Sequence, residues 1–224
     1  MNKNIAIDGP AGAGKSTIAK MIAKKLGLVY VDTGAMYRGL AIHFLRCGLS
    51  PDDEAGISEA VKDAEVSIAY EDGTMQVYLN GENVTAHLRE EATGNMASAS
   101  SVFKAVRDRL LDLQRELARK TDVVMDGRDI GTVVLPDAML KVFLTASVEE
   151  RTRRRVLELR EKGQEVDEAK IMEDIKERDY RDSHRPIAPL KLADDGVLVD
   201  SSDLSIDEVV NTITKLYEDK IALQ

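Results

Sequence analysis

Nine consecutive residues, Gly9-Pro10-Ala11-Gly12-Ala13-Gly14-Lys15-Ser16-Thr17, fit the pattern G-x-x-x-x-G-K-S/T. Each residue type has a chemical reason. Glycines let the backbone wrap an oxyanion and point several N–H groups at it. A helix starting at the end of the loop adds partial positive charge. Lys15 places a cation by the β- and γ-phosphates of a nucleotide, and the Ser16 hydroxyl is a ligand for nucleotide-borne Mg²⁺. The side chain of Lys15 is expected to be exposed at the helix start. Without a ligand, the same residues would be only a glycine-rich strand-to-helix turn with a solvated lysine. The loop alone does not choose between a kinase, a GTPase and a motor-type ATPase. No N-K-x-D guanine-reading motif follows a late strand, which counts against the GTPase.

Four more segments concentrate charge. Asp32-Thr33-Gly34-Ala35-Met36-Tyr37-Arg38 and Asp126-Gly127-Arg128-Asp129-Ile130-Gly131-Thr132 each follow a short apolar run. Residues 151–155 carry Arg151, Arg153, Arg154 and Arg155. Residues 178–185 place Arg178, Arg181, Asp182 and Arg185 at i, i+3, i+4 and i+7, the spacing of one helical face. Transfer between two phosphates needs cations that hold both groups in line and neutralise spreading charge, and these segments supply them. A solvated, salt-bridged helix would explain the last two equally well. Arg107 and Arg109 beside Asp108 and Asp112 would likewise make surface ion pairs, and Asp126 could serve only to cap a turn.

The elements that must position these residues follow from periodicity. Residues 4–8 read as a buried parallel strand entering the glycine loop. Apolar positions Ile18, Met21, Ile22 and Leu26 give a helix over 16–26, stopped at Gly27. A strand over 28–31 and a helix over 35–45 come next, an order that favours an α/β parallel sheet. Residues 65–70 and 74–79 alternate around Glu71-Asp72-Gly73, and Asn80-Gly81 offers a second tight turn, so an antiparallel β insert is expected near 65–90. Long helices over about 95–120, strands over 122–125, 140–145 and 197–199, charged helices over 148–162 and 167–184, and a closing helix over 206–217 complete the reading. In such a sheet the loops after the strands gather at one edge, where ligands bind. Length suits one domain, here 1–224.

A net charge of −9 opposes the basic balance expected of a protein that coats DNA. The one cysteine, Cys47, rules out an internal disulfide framework, and its place after Ala41, Ile42, Phe44 and Leu45 predicts that it is buried. His43, His87 and His184 lack metal-ligand spacing. No apolar run reaches 18 residues and no secretory signal opens the chain, so a cytoplasmic protein without membrane or nucleic-acid partners, and monomeric, is expected.

Taken together and in this order, GPAGAGKST, DTGAMYRG, DGRDIGTVV, ERTRRR and KERDYRDSHRPIAPL closely resemble the bacterial-type cytidylate kinase family of nucleoside monophosphate kinases, over essentially the whole chain. The resemblance implies a P-loop kinase: a five-stranded parallel core with helices on both faces, a monophosphate-binding region over about 33–100 that includes the β insert, and a helical lid over about 148–165. It implies transfer of the ATP γ-phosphoryl group to CMP or dCMP, with Mg²⁺. By motif position, Gly9 through Thr17 hold ATP, and Arg38, Arg128 and Arg185 clamp the CMP phosphate. Ser98, Arg107 and Asp129 read cytosine, with Ser100 and Ser101 as competitors for the serine role. Arg178 and Asp182 contact the sugar. Ser16 and Asp126 order the metal. Lys15, Asp126, Arg128 and Arg154 make up the catalytic set, the last from a lid whose arginines face the transferring group. The rivals are a P-loop kinase for another small acceptor (UMP, TMP or shikimate) and a P-loop regulatory or nucleic-acid-binding module that uses ATP as a switch.

Overall fold

The protein is described from a computed structural model, which covers residues 3–223. In chain order its elements are β1 (Ile5–Asp8), α1 (Lys15–Leu26), β2 (Val29–Asp32), α2 (Thr33–Arg46), α3 (Glu54–Ala60), β3 (Val66–Glu71), β4 (Thr74–Leu79), β5 (Glu82–Asn83), α4 (Glu91–Ser100), α5 (Lys104–Lys120), β6 (Val123–Gly127), β7 (Leu140–Thr145), α6 (Val148–Glu161), α7 (Glu168–His184), β8 (Val197–Asp200) and α8 (Ile206–Ala222). They divide into two compact units, residues 3–30 with 122–223, and residues 31–121.

The first unit is built on a five-stranded parallel sheet in the order β2-β6-β1-β7-β8. β1 is central, with Ile5 opposite both Val124 of β6 and Leu140 of β7. A strand covered on both faces is mostly apolar, and all four residues of β1 are buried, Ile5, Ala6 and Ile7 being apolar and Asp8 closing the strand. One stripe of α1 (Ile18, Ala19, Ile22, Ala23) and one of α8 (Val209, Val210, Ile213, Tyr217) pack into the same core as Ile5, Ile7, Val142 and Leu144. Full burial of a side chain such as Ile22 contributes about 1.5–3 kcal/mol. Gly27 ends α1 in the left-handed conformation (φ 69°), its N–H donating to the Ala23 carbonyl. Ser205 and Glu208 form a capping box at the start of α8.

The second unit carries an antiparallel sheet, β3-β4-β5, with its hairpin turn at Asp72-Gly73. A methyl group on Gly39 of α2 would approach Val77 to 3.1 Å and Val66 to 3.5 Å, so the helix lies directly on the hairpin. The helical stretch expected over about 95–120 is two helices, broken at residues 101–103, and the closing helix runs to Ala222.

Cys47 is exposed, contrary to the expectation of burial. Arg46 is the last helical residue of α2, and Gly48 at φ 69° turns the chain away, so Cys47 leaves the buried stripe that holds Leu40 and Phe44. Its sulfur lies 3.8 Å from His43 Nε2.

Candidate active site

The glycine loop leaves the central strand at a point of close backbone contact. Gly9 has φ 150°, and a Cβ there would sit 1.9 Å from the Leu144 carbonyl oxygen, so no side chain fits between β1 and β7. Gly12 (φ 78°) and Gly14 (φ 86°) also occupy backbone regions that side chains avoid, and Gly14 delivers the chain into α1. Within the loop Pro10 and Ala13 are buried, Gly12 is open to solvent, and Thr17 faces out from α1.

Lys15 is buried, not exposed as expected, with only 6% of its surface accessible. The side chain curls back and its ammonium donates to the Pro10 carbonyl at 2.8 Å. Burial pushes the Lys15 ammonium well below the usual lysine range. Arg128 and Arg178 add like-charge repulsion, opposed by Asp126 and Asp8. Lys15 therefore stands in the field of two further cations, Arg128 and Arg178, beside the loop.

Asp126 lies at the end of β6 and is buried. Ser16 Oγ donates to one of its oxygens (3.0 Å) and Tyr30 Oη to the other (2.9 Å). A hydroxyl at the helix start facing a carboxylate at the end of the neighbouring strand is a hard oxygen donor set, which fits Mg²⁺ held through one or two protein oxygens and water.

The turn after β6 is held by charge. Arg128 Nε donates to Asp182 Oδ2 at 2.8 Å, and Arg185 Nη2 to Asp129 Oδ1 at 3.1 Å. Burial opposes ionisation of Asp182, but the Arg128 guanidinium, with Arg178 and Arg185 behind it, holds its carboxyl below the ordinary value. The expected single face of α7 is only partly present. Asp182 and Arg185 are buried, whereas Arg181 is 39% exposed and pairs with Glu177. The helix ends at His184, and Arg185 adopts an extended conformation (φ −62°, ψ 142°) that lets Nε reach the Ala188 carbonyl. Beyond Asp129, residues 130–134 form a single π-helical turn, a feature frequent at functional sites.

The arginines of α6 divide in two. Arg151 is buried and donates to the carbonyls of Ala146 and Ala11 and to Asp179 (2.9, 3.1 and 2.6 Å). Arg154 reaches Ser201 O (2.8 Å) and Ala13 O (3.5 Å) while paired with Glu150. Arg153 and Arg155 point to solvent and pair with Glu150 and Glu158. The hydrogen bond from Arg153, with Arg154 behind it, draws the Glu150 carboxyl down to about 2.

In the second unit, Asp32 caps α2 by accepting from Ala35 N at 2.9 Å. A Cβ on Gly34 would stand 3.4 Å from Arg38 Nη1, so the Arg38 guanidinium lies along this turn. Arg107 is buried, with Nη1 donating to the Ser101 carbonyl (3.2 Å) and its guanidinium 5.9 Å over the Tyr37 ring. Of the three serines, Ser100 donates to Met96 O and Ser101 to Ser98 O.

Sequence reasoning did not single out Asp8, Tyr30, Asp179 or Ser201. For Asp8 a signal existed: a carboxylate ending an otherwise apolar central strand must have partners. Tyr30, one residue from a predicted strand end, carried none.

The cytidylate kinase family model matches residues 5–219. The cytidylate kinase of Caldicellulosiruptor bescii is 48% identical over 214 residues, covering 96% of this chain and 95% of that protein. That of Geobacter sulfurreducens is 48% identical over 216 residues, 96% and 93% of the two chains. A structure of an uncharacterized protein from Eubacterium ventriosum aligns with a TM-score of 0.54 at 16% identity, covering 96% of this chain and 97% of that one, a likeness of fold alone.

Proposed function

From the premise that the chain belongs to the cytidylate kinase family, we propose that ATP is its phosphoryl donor, that Mg²⁺ is required, and that the residues described above divide between donor and acceptor. The protein is a nucleoside monophosphate kinase that transfers a phosphoryl group to CMP or dCMP. Support for the donor assignment comes chiefly from the Gly9–Thr17 loop, whose Gly9, Gly12 and Gly14 all hold positive φ and which delivers Lys15 to the first position of α1.

In this reading an oxygen of the acceptor monophosphate attacks the γ-phosphorus of ATP. A new P–O bond forms, the bond to the β–γ bridging oxygen breaks, and its electron pair leaves with ADP. The nucleophile needs no activation beyond alignment, so the chain supplies positioning and charge. Loop N–H groups and Lys15 hold the donor phosphates. Arg38, Arg128 and Arg185 take the acceptor phosphate, Arg178 and Asp182 the sugar, and Ser98, Arg107 and Asp129 the base. Ser16 and Asp126 hold the metal. With Mg²⁺ held by these two residues, its charge would offset that on the phosphoryl oxygens. Arg154 faces the transferring group from a lid over about 148–165, and residues of about 33–100 form the acceptor region.

Among the described residues no helix is long and apolar enough to cross a membrane. We place the protein in the cytoplasm as a monomer with no nucleic-acid partner. A coupled assay with ATP and Mg²⁺ against CMP, dCMP, UMP, dTMP and AMP tests the whole assignment. Preference for CMP or dCMP is expected. Equal use of UMP or dTMP removes the base-reading roles, and tight single-stranded nucleic-acid binding without transfer to any monophosphate removes the donor assignment.

A further inference from the structure

The last residue of the central strand has no role in the reaction as assigned so far. Asp8 is buried, with 4% of its surface accessible, and directly precedes the loop at Gly9. Its two carboxylate oxygens each accept one backbone N–H from the turn after β6: Ile130 N to Oδ1 and Gly131 N to Oδ2, both at 2.7 Å. These are short charge-assisted bonds, and they meet the chain immediately after Arg128 and Asp129. From that turn Arg128 reaches Asp182, and Asp129 receives Arg185.

We propose that Asp8 is a positioning residue for the acceptor. Its carboxylate clamps the Ile130 and Gly131 amides, and so fixes the direction in which Arg128 and Asp129 leave β6. The inference rests on the acceptor roles given to Arg128 and Asp129 above. Three features support it. Both amides need an acceptor, because Ile130 and Gly131 are buried at the start of the π-helical turn, where no backbone carbonyl precedes them in register. Their spacing matches the two oxygens of one carboxylate, and an amide side chain offers only one acceptor. The turn also packs closely against Lys141, where an added Cβ on Gly131 would stand 3.3 Å from that side chain. One carboxylate therefore joins the start of the donor loop to the acceptor turn through two bonds. The clamp carries a cost consistent with this use. Burial pushes the Asp8 carboxyl up to about 6, and the Gly131 and Ile130 amides and the Lys15 cation oppose a further rise to which Asp129 contributes.

Two measurements test the inference. In Asp8→Asn the NH₂ group faces one of the two amide donors while the side-chain volume is kept. The CMP KM is expected to rise and the CMP:UMP ratio of kcat/KM to fall, each by roughly 10- to 100-fold, with the ATP KM within about threefold of wild type. In the wild-type protein without ligand, the Ile130 and Gly131 amide protons are expected far downfield. They should move upfield together as the pH falls through about 6. Lys15, Asp129, Lys141 and Lys191 are the charged groups around Asp8. A folded Asp8→Asn variant with unchanged CMP KM and unchanged CMP:UMP ratio overturns the inference. So do wild-type amides that sit at ordinary shifts and ignore pH, a result available even if the variant fails to fold. If Arg128→Ala and Asp129→Ala cripple CMP use while Asp8→Asn does not, the Asp8 inference alone falls. If Arg128→Ala and Asp129→Ala leave CMP use intact, the acceptor roles fall first.

Discussion

Replacing Lys15 with Met separates its chemistry from its packing. The Lys15 stem is buried, so Ala would leave a hole, whereas Met keeps most of the volume and volume-conserving exchanges cost under about 1.5 kcal/mol. The lost bond to the Pro10 carbonyl removes about 1 kcal/mol more. Against these losses stands relief. The folded state depresses Lys15 ionisation, so the charged form is less favourable folded than unfolded, and removing the charge removes that penalty together with repulsion from Arg128 and Arg178. The net change in Tm is therefore expected to be small and of either sign. Turnover responds differently. A preorganised donor to developing phosphate charge is worth ~3–4 kcal/mol, so kcat is expected to fall by roughly 100- to 1000-fold. The coupled assay at saturating ATP and CMP, beside a thermal melt of the same sample, reads both. A well-folded Lys15→Met enzyme with kcat within tenfold of wild type refutes the donor assignment. A collapse of Tm instead shows that Lys15 is held for structure.

The arginines of α6 should sort by direction: Arg153→Ala and Arg155→Ala, both solvent-facing, are expected to change Tm and kcat little (within ~0.5 kcal/mol), and Arg154→Ala to lower kcat more than it raises the CMP KM, as steady-state kinetics on each will show. Arg151→Ala leaves Asp179 and two carbonyls without their donor, so a loss of about 3–5 kcal/mol in denaturant unfolding is expected alongside any kinetic effect. Cytosine presents an amino donor where uracil presents an oxygen, so Asp129→Ala and Arg107→Met should each cost CMP about 1–3 kcal/mol more than UMP in kcat/KM; equal losses for both nucleotides would mean that neither residue reads the base. Glu150 ionises near 2 when folded, against 4.5 ordinarily, so its stabilising contribution is full above about pH 4.5 and is lost as the pH falls toward 2; the Tm gap between wild type and Glu150→Gln should narrow over that window.

Much of the first unit could be read from the chain because its signals are local. A largely apolar strand entering G-x-x-x-x-G-K-S/T, the stripe of α1 and its stop at Gly27 each depend on residues within one element. The β3–β4 hairpin was legible for the same reason, its alternation and Asp72-Gly73 turn being adjacent. The misreadings came where an element ends. Cys47 sits on the extrapolated stripe of a helix that stops one residue earlier, so periodicity places it on a face the chain has already left. Lys15 was misjudged because no local rule shows that its side chain folds back on Pro10. Asp8, Tyr30 and Ser201 act through partners about fifty to more than a hundred positions away, a pairing that only the folded sheet creates.

Arg151 makes the paired helices α6 and α7 a cantilever. Its guanidinium pins the start of α6 to Ala146, the Ala11 carbonyl of the glycine loop and Asp179 of α7, while the far end of the pair, residues 162–167, stands out in solvent. From Arg151 to the end of α6 at Glu161 the helix rises about 15 Å at 1.5 Å per residue, so a tilt of about 10° at the pin sweeps the tip through nearly 3 Å. The displacement grows with distance from the pin. Under such a tilt, side chains in the first two turns, Arg151 and Arg154 among them, would stay against the glycine loop, and the travel would fall on the outer turns and the connecting segment. Length changes or stiffening there would alter the amplitude of the swing without disturbing the groups at its root.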